Sequence, residues 1–396
     1  MVRSILMSLL KNIKIIDLTR FVAGPHCTLV LSDLGAEVIK VEKCNKGDDL
    51  RIIGPKLLHT SLWAAVLNRG KKSLSLNLKS IEGREIILNL IKEADVIIEN
   101  FRPGVMEKLK LDWKTINKIN NKIVMARISG YGQNDALDSR QAFDATIQAE
   151  TGFMQISGHD EKPTMIGTVF LDYTTGLNTA VGILAALNFR NQTGKGQLIE
   201  TSLVSSALSL SMGEVPNYFL NKGKFGKNGN SDRFSSPSNT YKAKDGYLHI
   251  MAGSDDRFKG LINAMNQKEL FSNKLYNTPP KRLKNQKKID MLVNKWTKKN
   301  TIKYLGKVLS KNSVPWGKVK TFSQFLNTKT ANNNLIKAKI NNKNIIVPEC
   351  AIRVPNKKAS TKKVIPKVGQ NNEEILKGLG YSKKAVLELR KKNILD

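Results

Sequence analysis

Asp172 is the one charged side chain within the apolar, small-residue stretch that follows Lys162, KPTMIGTVFLDYTTGLNTAVGILAAL. Ahead of it, Met165 to Leu171 is a short apolar run broken by Gly167. Behind it, Ala180, Val181, Ile183, Leu184 and Leu187 recur at helical spacing, so Asp172 falls where an extended approach turns into a helix. A carboxylate there has two uses. It can cap the free backbone N–H groups of the helix start, together with Thr174 and Thr175, and position alone favours this use. Alternatively, those N–H groups can hold an ionised, partly desolvated carboxylate facing a cleft, which is what a carboxylate nucleophile requires. Other reactive side chains form no comparable pattern. Cys27, Cys44 and Cys350 are too few and too widely spaced for a disulfide framework or a zinc site, which points to a reducing compartment. His26, His59, His159 and His249 make no pair at metal-ligand spacing, and His26 reads as a helix-start residue; no metal is implied.

The elements that would position Asp172 alternate between strand and helix. Ile13 to Leu18 reads as an apolar strand, Gly24 and Pro25 open a helix that Gly35 stops, and Ala36 to Glu42 is a second strand. Lys71 to Lys79 alternates as a half-buried strand, Glu82 to Lys92 is an amphipathic helix, and Ala94 to Glu99 is a buried strand. Helices at Met106 to Leu109 and Trp113 to Ile119 precede a strand over Ile123 to Ser129 and the turn Gly130-Tyr131-Gly132. Such alternation predicts a doubly wound α/β domain, with ligand loops beyond the C-terminal ends of its strands. No dinucleotide fingerprint is present, because Gly24 has no partner at the required spacing. The P-loop fails as well: Gly70 to Ser73 imitates its end, but Ala65 stands where the first glycine belongs.

Asn221 to Ser238 is rich in Gly, Ser, Asn and Lys, the composition of a linker or mobile loop. From Tyr241 to about Phe325 the chain has its own strand, Tyr247 to Met251, and helices at Asp256 to Met265, Lys287 to Lys298 and Thr301 to Ser310. The expected division is a large α/β domain over 1–205, linker and loop over 206–238, a small α+β domain over 239–325, and a linker with a helical tail over 326–396. Ile345 to Val347 is a short strand in that last part, and the tail returns to the large domain.

With 396 residues, 40% hydrophobic and 25% charged, the chain has the composition of a soluble globular protein. No run approaches the roughly 18 apolar residues of a spanning helix. The first residues, MVRSILMSLLKNIK, carry no cleavage site, and Met7 is an alternative start. The formal net charge of +32 would by itself suggest nucleic acid. However, the surplus is spread along the chain, densest at Lys281 to Lys299 and Lys357 to Lys367, with no aromatic ladder or zinc spacing. It reads as solvated lysine-rich faces that also attract a polyanionic ligand, not as a specific nucleic-acid footprint.

The segments LTRFVAGP, LGAEVIKVE with GDD, NRGKKSLSLNLK, ADVIIENFRPG, ISGYGQ, AFDATIQAETG, the Asp172 stretch with TGKGQ, KDGYLHI and the terminal LKGLGYSKKAVLELRKKNIL run in order along nearly the whole chain. In sequence and spacing they resemble the family III CoA-transferases, which include formyl-CoA transferase, succinyl-CoA:dicarboxylate transferases, carnitine CoA-transferases and the methylacyl-CoA racemases. The resemblance implies a Rossmann-like large domain built from the N-terminal half plus the C-terminal tail, a smaller inserted α+β domain, and a homodimer of two chains threaded as interlocked rings. It further implies a cytoplasmic enzyme that binds acyl-CoA and a small carboxylic acid, with no tightly bound cofactor and no membrane partner.

In that family the aspartate matching Asp172 is the catalytic one, taking the acyl group as an anhydride and then CoA as an aspartyl thioester. Positions matching CoA contacts are Val22, Ala23, Lys43, Leu76, Asn77, Leu78, Lys79, Asn100, Phe101, Arg102 and Lys108. Lys43 and Lys108 stand where relatives often carry Arg, which keeps the charge and loses the bidentate fork. A contact lysine of formyl-CoA transferase aligns with Gln141, with Arg140 beside it as a substitute cation. The glycine loop that covers the intermediate in that enzyme corresponds to Gly226 to Ser236, where Gly229, Asn230 and Arg233 are acceptor-site candidates and Arg233 suits a distal carboxylate. Asp144 and Glu150 read as structural. Racemases of the family use a histidine before an aspartate; here Phe143 takes that place before Asp144, which favours transferase over racemase or isomerase. A non-catalytic CoA-ester binder is the alternative of a different class.

Overall fold

The computed structural model describes residues 9–133, 136–138, 140–159, 162–222, 226–340, 343–353 and 365–396. The alternative start at Met7 and most of the Lys357 to Lys367 run lie outside the described residues. The chain divides into two compact units: residues 1–151, 166–223 and 333–396 form one, and residues 152–165 and 224–332 the other.

The first unit is built on six strands: β1 (Lys14–Asp17), β2 (Glu37–Glu42), β3 (Lys72–Ser75), β4 (Val96–Glu99), β5 (Val124–Ser129) and β6 (Leu198–Ser202). All five pairings are parallel and the order is β3-β2-β1-β4-β5-β6. The chain therefore winds outward in both directions from β1 and β4, and the loops leaving these two strands diverge into a crevice at the switch point. Helices α1 (Ala23–Asp33), α2 (Ile81–Glu93), α3 (Asp144–Glu150) and α4 (Phe170–Thr193) are the crossovers that matter to the site.

Strand alternation sorts the buried residues into two cores. Ile15, Val38, Val96, Ile98, Val124 and Ala126 pack with α1 and α4 residues such as Leu31, Ile183 and Leu187. Their neighbours Ile16, Leu74, Ile97 and Met125 pack with Ile86 and Ile87 of α2 and with Leu376 and Leu389 of the C-terminal helices. Both faces of the sheet are thus covered, as a parallel sheet demands. The strands are apolar along most of their length but end in buried polar groups: Asp17, Glu42, Ser75, Glu99 and Ser129. The sequence places its polar atoms at the C-terminal edge, where loops can bind.

The second unit has an antiparallel three-stranded sheet of β7 (Ser238–Ala243), β8 (Gly246–Met251) and β9 (Trp316–Lys318). Tyr241, Leu248 and Ile250 of this sheet pack on Leu261, Val293, Leu305 and Leu309 from helices Asp255–Ala264, Gln286–Thr297 and Ile302–Lys311.

Several expected elements needed revision. The strand read over Lys71 to Lys79 spans only Lys72–Ser75; beyond it Asn77 N donates to Ile394 O of the C-terminal tail at 3.0 Å and a turn follows, in which Ser80 N donates to Asn77 O at 3.2 Å. The stretch read as linker and loop over 206–238 contains most of one helix, Leu203–Leu210, and all of another, Glu214–Asn221. Strand Lys343–Pro348 has a partner unread in the sequence, Leu335–Ile340.

Gly176 lets α4 approach α1 closely. A Cβ there would lie 2.6 Å from the Ala23 carbonyl oxygen and 3.2 Å from the Cys27 nitrogen, backbone atoms that cannot rotate away. Gly176→Ala must push the two helix starts apart, and its overpacking is expected to cost about 1–3 kcal/mol of stability. Urea denaturation at neutral pH reads this directly; an unchanged midpoint would contradict the close approach.

Candidate active site

Asp172 lies in the first turn of α4, two residues into the helix, but it does not cap it. The Asp144 carboxylate does: its Oδ2 accepts from Leu171 N at 2.8 Å and from Asp172 N at 3.1 Å. This is the physical reason that the capping expected of Asp172 is absent, since the orphan N–H groups are already taken. Thr174 and Thr175 do not cap either; their hydroxyls donate back to the carbonyls of Phe170 and Leu171 at 2.7 Å. Asp144 is itself buried and held by the Gln148 amide, which also binds Ile166 N and Thr168 O in the approach to α4. The structural reading of Asp144 is therefore specific: it fixes the start of the helix that carries Asp172.

Relieved of capping, the half-buried Asp172 carboxylate faces a cavity of about 340 Å³. Burial, with the negative charge of Asp144 added, pushes its pKa up to about 7. The helix start opposes this, but a helix dipole is worth about 0.3–1 kcal/mol to a carboxylate, less than one pKa unit. Desolvation wins, and near neutrality Asp172 exchanges readily between neutral and anionic forms.

The cavity opens at the switch point of the sheet. Val22, Ala23, Asn100, Phe101, Arg102, Arg140 and Phe143 line it together with Asp172. Helix α1 begins at Ala23, its N-cap Val22 makes no side-chain capping hydrogen bond, and both residues line the cavity. Phe143 is exposed and meets Phe21 edge-on at 5.4 Å, and no histidine lines this cavity. A second cavity of about 550 Å³ is lined by Lys43, Leu76, Asn77, Leu78 and Lys79, again with Phe101. Residues far apart in the chain thus converge on two adjoining pockets.

Lys108 lines neither pocket. Arg140 lines the first but is paired with Glu150 at 2.7 Å, and Glu150 also accepts from the Tyr131 hydroxyl at 2.7 Å. Gly229, Asn230 and Arg233 belong to the second unit. There Gly229, in a left-handed turn, donates to Gly158 O at 3.2 Å, Asn230 is exposed, and the Arg233 guanidinium donates to Ile156 O at 3.4 Å.

Sequence reasoning missed Arg20 and Asp49, both on the wall of the first cavity. Arg20 sits in the LTRFVAGP segment, and its charge beside a strand end was the available signal. The loop carrying it rests on a buried charge cluster. Asp17 accepts from Thr19 N at 2.9 Å, Thr28 Oγ1 at 2.6 Å and Lys71 Nζ at 3.1 Å, with Lys40 Nζ at 3.5 Å. Burial alone would raise the Asp17 pKa, but Lys40, Lys71 and the two threonine hydroxyls hold it well below the usual carboxylate range. Lys40 also donates to Thr19 O, so the cluster clamps the chain where it leaves β1.

A family model described as CoA-transferase family III matches residues 10–372. Among curated proteins, succinyl-CoA:glutarate CoA-transferase of Mus musculus is 33% identical over 394 residues, covering 98% of this chain and 90% of its own length. Acetyl-CoA:oxalate CoA-transferase of Acetobacter aceti is 34% identical, covering 82% and 84%. Among solved structures, a CAIB/BAIF family protein from Brucella suis aligns with a TM-score of 0.81 at 29% identity over 93% of this chain and 99% of that one. Rv3272 from M. tuberculosis aligns with a TM-score of 0.84 at 26% identity over the same shares.

The raised pKa of Asp172 is also a statement about stability. Its folded pKa lies above the ordinary value of 3.8, so ionisation opposes folding: the penalty is absent below about pH 4, grows up to about pH 7 and is constant above. Asp172→Asn is therefore expected to be more stable than the parent at pH 8, by on the order of 2 kcal/mol once solvent in the cavity is allowed for, and to converge with it at about pH 4 and below. Asp144→Asn keeps an oxygen acceptor for the α4 N–H groups and removes the like charge. It should lower the pH at which the gap levels off and shrink the gap above that pH. Thermal melts across pH check both; a gap independent of pH would refute the assignment.

Proposed function

The chain belongs to CoA-transferase family III and is a CoA-transferase, and from that premise we propose that Asp172 is the nucleophile that carries CoA from an acyl-CoA donor to a free carboxylic acid. The observation that carries this reading is a carboxylate on a helix start whose capping duty is performed by Asp144, leaving its oxygens to the cavity.

The Asp172 carboxylate attacks the thioester carbonyl of the donor; the C–S bond breaks, giving a mixed anhydride and CoA thiolate. The thiolate attacks the aspartyl carbonyl, the anhydride C–O bond breaks, and the donor acid leaves as its carboxylate, with CoA now on Asp172 as a thioester. An acceptor carboxylate then repeats both steps in reverse. No proton is gained or lost, and the anhydride keeps the transfer potential that a serine ester would discard. The Ala23 N–H serves the developing oxyanions as a donor, a role supported by its place in the first turn of α1 on the cavity wall.

Val22, Ala23, Asn100, Phe101 and Arg102 serve the pantetheine side of the substrate, and Lys43 with Leu76 to Lys79 the nucleotide side; Arg140 and Lys108 add positive potential. Gly229, Asn230 and Arg233 serve the acceptor. A small dicarboxylate acceptor is supported by relatives named for glutarate and oxalate. Racemase chemistry is disfavoured by Phe143, which stands where a second proton carrier would be needed. We further propose a homodimer of interlocked chains, supported by Met212, Phe219 and Leu220, each more than 75% exposed and in need of cover. The three free thiols support a location in the reducing cytoplasm.

Incubation with succinyl-CoA without acceptor, followed by peptide mass analysis, should find CoA on the Asp172 peptide and none in Asp172→Asn. Turnover by that variant at parental rate would sink the proposal. Because the attacking form is the anion, kcat/KM should rise about tenfold per pH unit below about 7 and level off above it. A profile flat from pH 5 to 8 would contradict a nucleophile in this environment.

A further inference from the structure

Among the described residues, Arg20 is the one charged side chain that lines both cavities; Phe101 is the other residue they share. Its backbone is pinned from both sides by the Asn100 side chain, which accepts from Arg20 N and donates to Arg20 O, each at 2.7 Å. Its guanidinium lies over the Phe101 ring at 5.2 Å. Nη1 donates to Asp49 at 3.0 Å, and the same carboxylate takes Lys43 Nζ at 3.0 Å. Two cations thus share one acid at the junction. The three side chains are about a third to a half exposed, so these pairs are worth little, about 0–1 kcal/mol each. What they do is hold both cations in place.

A CoA thioester has a fixed order of parts: adenosine, a diphosphate, the pantetheine arm, the thioester. On the reading proposed above, the thioester must reach Asp172 in the first cavity. The second cavity has apolar walls for an adenine, including Leu76, Leu78, Val105 and Leu109. The diphosphate between them then falls at the junction. We infer that Arg20 is the cation that receives the diphosphate of the CoA substrate, with Asp49 as the internal anion that holds Arg20 and Lys43 ready for it. An Arg fork suits a diphosphate because it offers two parallel donors. A diphosphate with two charges displaces a single, partly solvated carboxylate without difficulty. Arg20 binds; it takes no part in the acyl steps.

The test is a set of calorimetric titrations of the full-length protein, parent, Arg20→Gln and Arg20→Lys, with CoA, dephospho-CoA and pantetheine. Arg20→Gln should weaken CoA and dephospho-CoA equally, about 10- to 100-fold, the loss expected for a charge-assisted hydrogen-bonded contact, and leave pantetheine unchanged. Arg20→Lys should recover part of the loss, which also guards against misfolding as the cause. The inference is overturned if Arg20→Gln binds CoA like the parent, if it loses pantetheine equally, as a merely structural role would require, or if it weakens CoA but not dephospho-CoA, which would put Arg20 on the 3′-phosphate. Failure of the parent itself to bind CoA would instead refute the transferase reading on which this one rests.

Discussion

The site depends on one hydrogen-bonding arrangement: the Asp144 carboxylate occupies the N–H groups at the start of α4. Two consequences follow from the same atoms. The helix start is satisfied without Asp172, so Asp172 can face a cavity, and a second negative charge is fixed close to it. A capping interaction is worth about 1 kcal/mol. Its larger effect here is on chemistry, because it adds to the burial that lifts the Asp172 pKa to about 7. The raised pKa costs stability at neutral pH, as desolvated groups at functional sites generally do.

A comparable trade runs along the C-terminal edge of the sheet. Asp17, Glu42 and Glu99 end neighbouring parallel strands in the buried interior, each held by specific partners: lysines for Asp17, Arg51 and Ser73 for Glu42, Phe101 N and Arg127 for Glu99. Buried ion pairs contribute little net stability, since desolvation offsets their attraction. What they supply is position. Asp17 with Lys40 fixes the loop that carries Arg20, and Glu99 fixes Phe101, the residue on which the Arg20 guanidinium rests. The two loops that diverge at the switch point are thereby held from beneath by buried polar groups.

The net charge of +32 acquires a use in this setting. Buried acids and bases nearly balance, Asp17, Asp33, Glu42, Asp48, Glu99 and Asp144 against Lys40, Arg69, Lys71, Arg127 and Arg282, so the surplus belongs to the surface. A positive surface raises the encounter rate with a polyanionic substrate without specifying it. The cations that line the two cavities are instead held by carboxylates, Arg20 and Lys43 by Asp49 and Arg140 by Glu150.

The sequence by itself determined the alternation of strands and helices, the strand ends at Glu42 and Glu99, the first strand's end to within one residue of Asp17, and the helix behind Asp172, because local periodicity and turn residues encode these directly. Most of the residues singled out from the family resemblance line one of the two cavities. Only the tertiary structure decided that Asp144, not Asp172, caps α4, that Leu335–Ile340 pairs with the strand after it, and that Arg20 and Asp49 meet Lys43 between the cavities. Those facts depend on side chains from different strands and loops arriving at one edge of the sheet. One-dimensional spacing carries no record of which donor a carboxylate will find there, because that choice is made by the packing of α1 against α4 and by the direction in which each loop leaves its strand.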